Sequence, residues 1–125
     1  MNVKEEIQRE KQRIAQEWQR SHNKMVEEAR VIIPEVVSNI KKTAIIWATR
    51  GYHIQKRGIL NRRKYVEVNW NDRSSAYHHR LLYNCPELYA ALREALAKAG
   101  FENISIHRNL DLHRLYITVW LDIAK

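Results

Sequence analysis

Apolar residues over the first fifty positions recur at Val3, Ile7, Ile14, Trp18, Met25, Ala29, Ile33, Val36 or Val37, Ile40, Ala44 and Trp47. Steps of 3, 4 and 7 keep one face of a helix apolar, so a long amphipathic helix is expected here. The spacing resolves into an eleven-residue repeat. Val3, Ile14, Met25, Val36 and Trp47 form one series, and Ile7, Trp18, Ala29 and Ile40 form the other. Eleven residues in three turns give about 3.67 per turn, so such a stripe runs almost straight along the axis. Pro34 either kinks one continuous helix or opens a second one near residues 34–50, and Gly51 supplies the stop. The stripe is thin before Pro34 and broader after it, where Ile32, Ile33, Val37, Ile45 and Ile46 join. The second half is therefore expected to be buried, and the first to dock at one edge or against another copy.

The period then changes to two. Residues 52–57 and 64–70 read as strands flanking Gly58-Ile59-Leu60-Asn61, a hairpin signature, with Val66, Val68 and Trp70 on one face. Asn71-Asp72-Arg73-Ser74-Ser75 is turn chemistry that caps a short helix over residues 76–83. Cys85-Pro86 breaks it, because the residue before proline avoids helical geometry. A further helix with Leu88, Leu92, Ala95 and Leu96 inward ends at Gly100. Residues 103–108 and 113–123 form a second hairpin across Asn109-Leu110-Asp111-Leu112, with Leu115, Ile117, Val119 and Leu121 inward. The expected fold class is α+β: one domain over residues 1–125, a long N-terminal helix, then hairpin, helix, hairpin, giving a four-stranded antiparallel sheet on helices.

Charge changes the picture more than composition does. The 125 residues carry 22 Lys or Arg against 14 Asp or Glu, a net +8, and residues 50–80 alone hold eight basic and two acidic side chains. Six of the basic residues, Arg50, Lys56, Arg57, Arg62, Arg63 and Lys64, fall within fifteen positions, with His53 among them. A positive hairpin of this kind suits phosphates, because neutralising them releases counterions, and the arginine fork matches phosphate oxygens and base edges. Ile59 and Leu60 at the tip offer an apolar contact, and Arg73, Arg80, Arg108 and Arg114 extend the basic track. The bland alternative is an edge strand loaded with charge to block sheet-to-sheet association.

The sheet face opposite the expected core would carry His53, Gln55, Arg57, Tyr65, Glu67, Asn69, Ser105, His107, Tyr116, Thr118 and Trp120 by alternation. Aromatics among basic residues on an open sheet can stack bases. The simpler expectation is that the long helix folds across this face and buries Tyr116 and Trp120.

Catalytic templates fit poorly. Three glycines are too few for a phosphate-cradling loop, and no Gly-x-Ser-x-Gly segment exists. Glu67, Asp72, Glu87, Asp111 and Asp122 show no acid–base spacing. His22, His53, His78, His79, His107 and His113 lack the paired cysteines of a structural zinc site, and no cofactor is expected. His107 and His113, facing each other across the last hairpin, are the most that a metal-dependent nuclease could use. Cys85 is the single cysteine and reads as a buried capping residue rather than a nucleophile.

No apolar run approaches the roughly 20 residues that cross a bilayer, so no membrane partner is expected. Residues 1–11 lack the apolar core of a secretion signal, and the expected location is cytoplasmic. The leading expectation is a non-enzymatic domain that grips DNA or RNA with its basic hairpin. The runner-up is a small regulator of phage or mobile-element type, such as an inhibitor of CRISPR nucleases, that binds an acidic or nucleic-acid-handling protein. Residues 1–30 alternate charges, with Glu5–Arg9, Glu17–Arg20 and Glu27–Arg30 as supporting pairs, and read as a charged amphipathic helix suited to homo-oligomers.

Overall fold

The computed structural model describes residues 2–51, 54–57 and 62–123, with 54–57 and 62–63 described by backbone pairing. The chain is α+β, with a long N-terminal helix and an antiparallel sheet. Helix α1 spans Val3–Thr49 without a break. Asn2 caps it, its Oδ1 accepting from the Glu5 N–H at 2.9 Å, and Gly51 at φ 79° ends it in the left-handed region. Pro34 lies inside the helix on its solvent side. The two-helix alternative is thereby removed, and the reason is visible in the pattern. Met25 and Val36, like Ala29 and Ile40, are eleven apart across the proline, and the buried stripe keeps its direction through it.

Strand β1 (Ile54–Arg57) pairs antiparallel with the start of β2 (Arg62–Trp70). Helix α2 (Ala76–Tyr83), a 3₁₀ turn at Pro86–Leu88 and helix α3 (Tyr89–Lys98) follow, then β3 (Glu102–Asn109) and β4 (Arg114–Asp122). The sheet order is β1-β2-β4-β3, so the two long strands β2 and β4 lie side by side at its centre. The expectation of hairpin, helix, hairpin over a four-stranded sheet needs correction. Three long strands carry the sheet, with β1 a four-residue segment at the edge, and the helical stretch between is α2 and α3, divided at the expected break. Pro86 is the cause: it lacks the N–H that would continue α2, and it starts a separate turn. The expected turn at residues 58–61, with Tyr52 and His53, lies outside the described residues.

The core is built from one row of each central strand. Val66, Val68 and Trp70 of β2 and Leu115, Ile117 and Val119 of β4 meet Ile32, Ile33, Val36 and Ile40 of α1, Leu81 and Leu82 of α2, and Leu92 and Leu96 of α3. Gly100 at φ 103° closes α3, with Phe101 N–H donating back to the Leu96 carbonyl at 3.2 Å. His79 is the one buried polar side chain of this core among the described residues. Its Nε2 accepts the Leu115 backbone N–H at 2.8 Å, tying α2 to β4. Burial pushes the His79 imidazole below its ordinary value, which keeps that nitrogen an acceptor.

Candidate nucleic-acid interface

β4 alternates strictly. Leu115, Ile117 and Val119 are buried, whereas Tyr116, Thr118 and Trp120 keep partial exposure. On β2, Glu67 and Asn69 occupy the same outward row, and on β3 Ser105 and His107 do. The three helices pack against the aliphatic row, so the expectation that α1 covers Tyr116 and Trp120 is corrected. On β4 branched aliphatic side chains fill the inter-layer space beneath the helices, and Tyr116 and Trp120 are left on the outer face, whereas on β2 Trp70 joins the core row.

One end of this outer face is aromatic. Tyr65 and Trp120 stand with ring centroids 5.2 Å apart and planes tilted by 50°, and Tyr65 is 8% exposed. Tyr65 follows directly on Arg62, Arg63 and Lys64, so the ring pair adjoins the basic segment. Backbone register aligns Arg57 with Arg62, Lys56 with Arg63 and Gln55 with Lys64. Ile54 is the partner of Tyr65, so Ile54 and Lys56, not Gln55 and Arg57, align with the Tyr65 row. Lys64 is exposed, and its carbonyl accepts the Ile123 N–H at 3.0 Å, which pins the end of β4 to the basic segment. The sequence reading of His53, Ile59 and Leu60 falls outside the described residues.

The basic residues do not form one track. Lys56, Arg57, Arg62, Arg63 and Lys64 adjoin the Tyr65 end by backbone register, and Arg50 is exposed at the end of α1. Arg108 and Arg114 lie at the other end of β4, where Arg114 pairs with Asn109. The nine residues of β4 span the two ends, about 27 Å at strand rise. The second group is also engaged. Arg108 donates to the Tyr83 carbonyl at 3.2 Å and lies over its ring, and Arg114 stands 3.6 Å from Asp72. Arg73 and Arg80 are exposed beside them, on the turn before α2 and on α2 itself.

Carboxylates punctuate the aromatic end, a feature the sequence reading missed. Glu67 and Glu102 are the register partners of Trp120 on either side, and Asp122 is the partner of Tyr65. Strand parity assigned Glu67 to this face, but Glu102 needed the β-bulge at residues 102–105, where Asn103 adopts φ 49°. Toward the middle, Thr118 Oγ1 donates to Asn69 Oδ1 at 3.0 Å, and Asn69 Nδ2 donates to Glu67 Oε1 at 3.3 Å. These bonds hold the polar row in a fixed arrangement.

The histidines disperse. His22 contacts Glu87 at 3.2 Å, His78 contacts Glu35 at 2.8 Å, and His113 Nδ1 lies 3.3 Å from the Tyr83 hydroxyl. His107 pairs with Tyr116, not with His113, which adopts φ 51° in the turn. The turn therefore closes on Asn109 and Arg114 and carries His113 out of register. Among the described residues no three His, Cys, Asp or Glu side chains come together as a metal cluster. Cys85 is buried, and desolvation pushes its thiol up to about 11, far from a thiolate nucleophile at neutral pH. Among the described residues no helix is long and apolar enough to cross a membrane. No family model matches the chain, and no match is found among the curated proteins or the solved structures.

Proposed function

We propose that the protein is a non-enzymatic, single-strand nucleic-acid-binding domain. The observation that carries this reading is the juxtaposition of the partly exposed Trp120 ring, backed by the buried Tyr65, with the Arg62-Arg63-Lys64 segment at the same end of the sheet. Phosphates lie along the basic segment, where Lys56 and Arg63 share the row of Tyr65 and Arg57, Arg62 and Lys64 occupy the alternate row, with Arg50 and His53 in support, while a base stacks on Trp120. Stacking needs only a π-face and tolerates sequence, and alanine replacement of such a platform typically costs about 1–3 kcal/mol. Glu67, Glu102 and Asp122 supply the preference for single strands. A duplex laid across the face would bring its phosphates against three carboxylates, whereas an unpaired base offers amino groups for carboxylates to accept from. Arg73, Arg80, Arg108 and Arg114, at the far end, belong to a separate region and contribute by long-range field.

Changing Arg62 and Arg63 to Glu is expected to weaken binding of labelled single strands by tenfold or more and to flatten the salt dependence. Full affinity in that variant would overturn the assignment.

A second reading rests on the same carboxylates. Mixed charge around a Trp is also the chemistry of a protein interface, with the aromatic as anchor and charged residues at the rim. On that reading the domain is a regulator of a nucleic-acid-handling protein. It would bind that partner while ignoring free strands at low salt.

A further inference from the structure

We propose that residues 3–21 of α1 form an antiparallel two-helix interface with a second copy of the chain. Every residue from Asn2 to Ser21 is exposed, and α1 first touches the rest of the fold at His22, which lies beside Glu87. About 30 Å of helix therefore stands clear of the domain. This half is not polar all round. Val3 is 68% exposed, Ile7 49%, Ile14 54% and Trp18 63%, and all four belong to the eleven-residue series that α1 buries further on, at Ala29, Val36 and Ile40. A stripe this straight faces one direction along the whole helix, so the uncovered half continues the surface that α1 already uses to pack its own domain.

Two observations choose a second copy as the occupant. The first is the spacing itself: 3, 7, 14 and 18 are separated by four, seven and four residues, which reads the same in both directions. A two-fold interface presents one patch to itself, and this spacing matches itself when one helix is reversed. With the dyad between Glu10 and Lys11, Val3 meets the second copy's Trp18, and Ile7 meets its Ile14. The smallest apolar side chain then faces the largest, and the two isoleucines face each other.

The second is the position of the domain. It lies on the same side of α1 as the stripe, so a parallel partner would drive the two domains into each other. An antiparallel partner runs its N-terminus up to the first copy's domain and leaves its own domain at the opposite end of the pair. The charge balance agrees. Residues 3–10 carry two basic and three acidic side chains, residues 11–20 three basic and one acidic, and reversal sets the acidic stretch beside the basic one. Arg13, which bridges Glu10 and Glu17 on the same helix, keeps those carboxylates ordered at the rim.

The test is the mass in solution, by light scattering after gel filtration at high salt, of the full chain and of an Ile7→Glu, Ile14→Glu double variant. The wild-type chain should run at twice 15.0 kDa and the variant at 15.0 kDa, with unchanged melting of the domain because both side chains are solvent-exposed in the single chain. A monomeric wild type at tens of micromolar, or a variant that still dimerises, would overturn the proposal. Orientation is read separately by oxidative cross-linking. Ile7→Cys chains should link to Ile14→Cys chains and not to one another, and self-linking of Ile7→Cys would contradict the antiparallel arrangement.

Discussion

The two faces of the sheet come from alternate residues of the same strands, yet they have opposite fates. Along β4, Leu115, Ile117 and Val119 disappear under three helices, while Tyr116, Thr118 and Trp120 remain partly open. The covered row of β4 is branched aliphatic throughout, shapes that interdigitate with helix ridges. The open row is aromatic and polar, held by the Thr118–Asn69–Glu67 hydrogen bonds and the Tyr65–Trp120 contact. The difference separates stability from recognition: the covered face should carry the folding free energy, and the open face the binding.

Substitutions can break that division, and the largest effect belongs to the covered face. Ile117→Ala, at 1% exposure, is expected to lower unfolding free energy by about 2–5 kcal/mol in denaturant titration. His79→Leu comes next, at about 1–3 kcal/mol, because it leaves the Leu115 N–H buried without an acceptor. It also carries a pH signature. With its folded value depressed by burial, His79 contributes stability that is fully present above about 6.5 and is lost as pH falls from there through the depressed value. A histidine that must accept a hydrogen bond opposes protonation, so this part of the acid sensitivity should vanish in the Leu variant. Trp120→Ala on the open face should cost the fold about 1 kcal/mol or less while weakening single-strand binding about tenfold. Thr118→Val should be the smallest, within about 0.5 kcal/mol, read as a melting shift of a few degrees at most.

Much of this division was legible in the sequence. Period-two alternation on β2 and β4 separated the rows, and the eleven-residue spacing, intact across Pro34, carried the single long helix. Which row meets the helices was harder to read. Tyr116 and Trp120 are large and apolar enough to look like core, and alternation gives two faces without saying which one is covered. The inter-layer packing decides that, and it involves residues far apart in sequence, such as Ile40 and Leu82. The basic segment was plain from charge alone. Its separation from Arg108 and Arg114 was not, because sequence distance says nothing of which end of a strand a residue occupies. The facing of His107 and His113 failed for a local reason: the four-residue turn sits at residues 110–113, one position later than expected, which takes His113 into the turn and shifts every partner in the ladder.

The most direct test of the central claim is a fluorescence titration of the wild-type chain with single- and double-stranded DNA and RNA across a salt series, repeated with Trp120→Phe. The expected result is single-strand binding that weakens steeply with salt, quenches tryptophan emission, and loses most of that quenching in the Phe variant. Equal affinity for duplexes, or binding with no change in Trp120 emission, would contradict a stacking face beside a phosphate-gripping strand. No binding of any strand at low salt would contradict the nucleic-acid assignment as a whole and leave the open face to a protein partner.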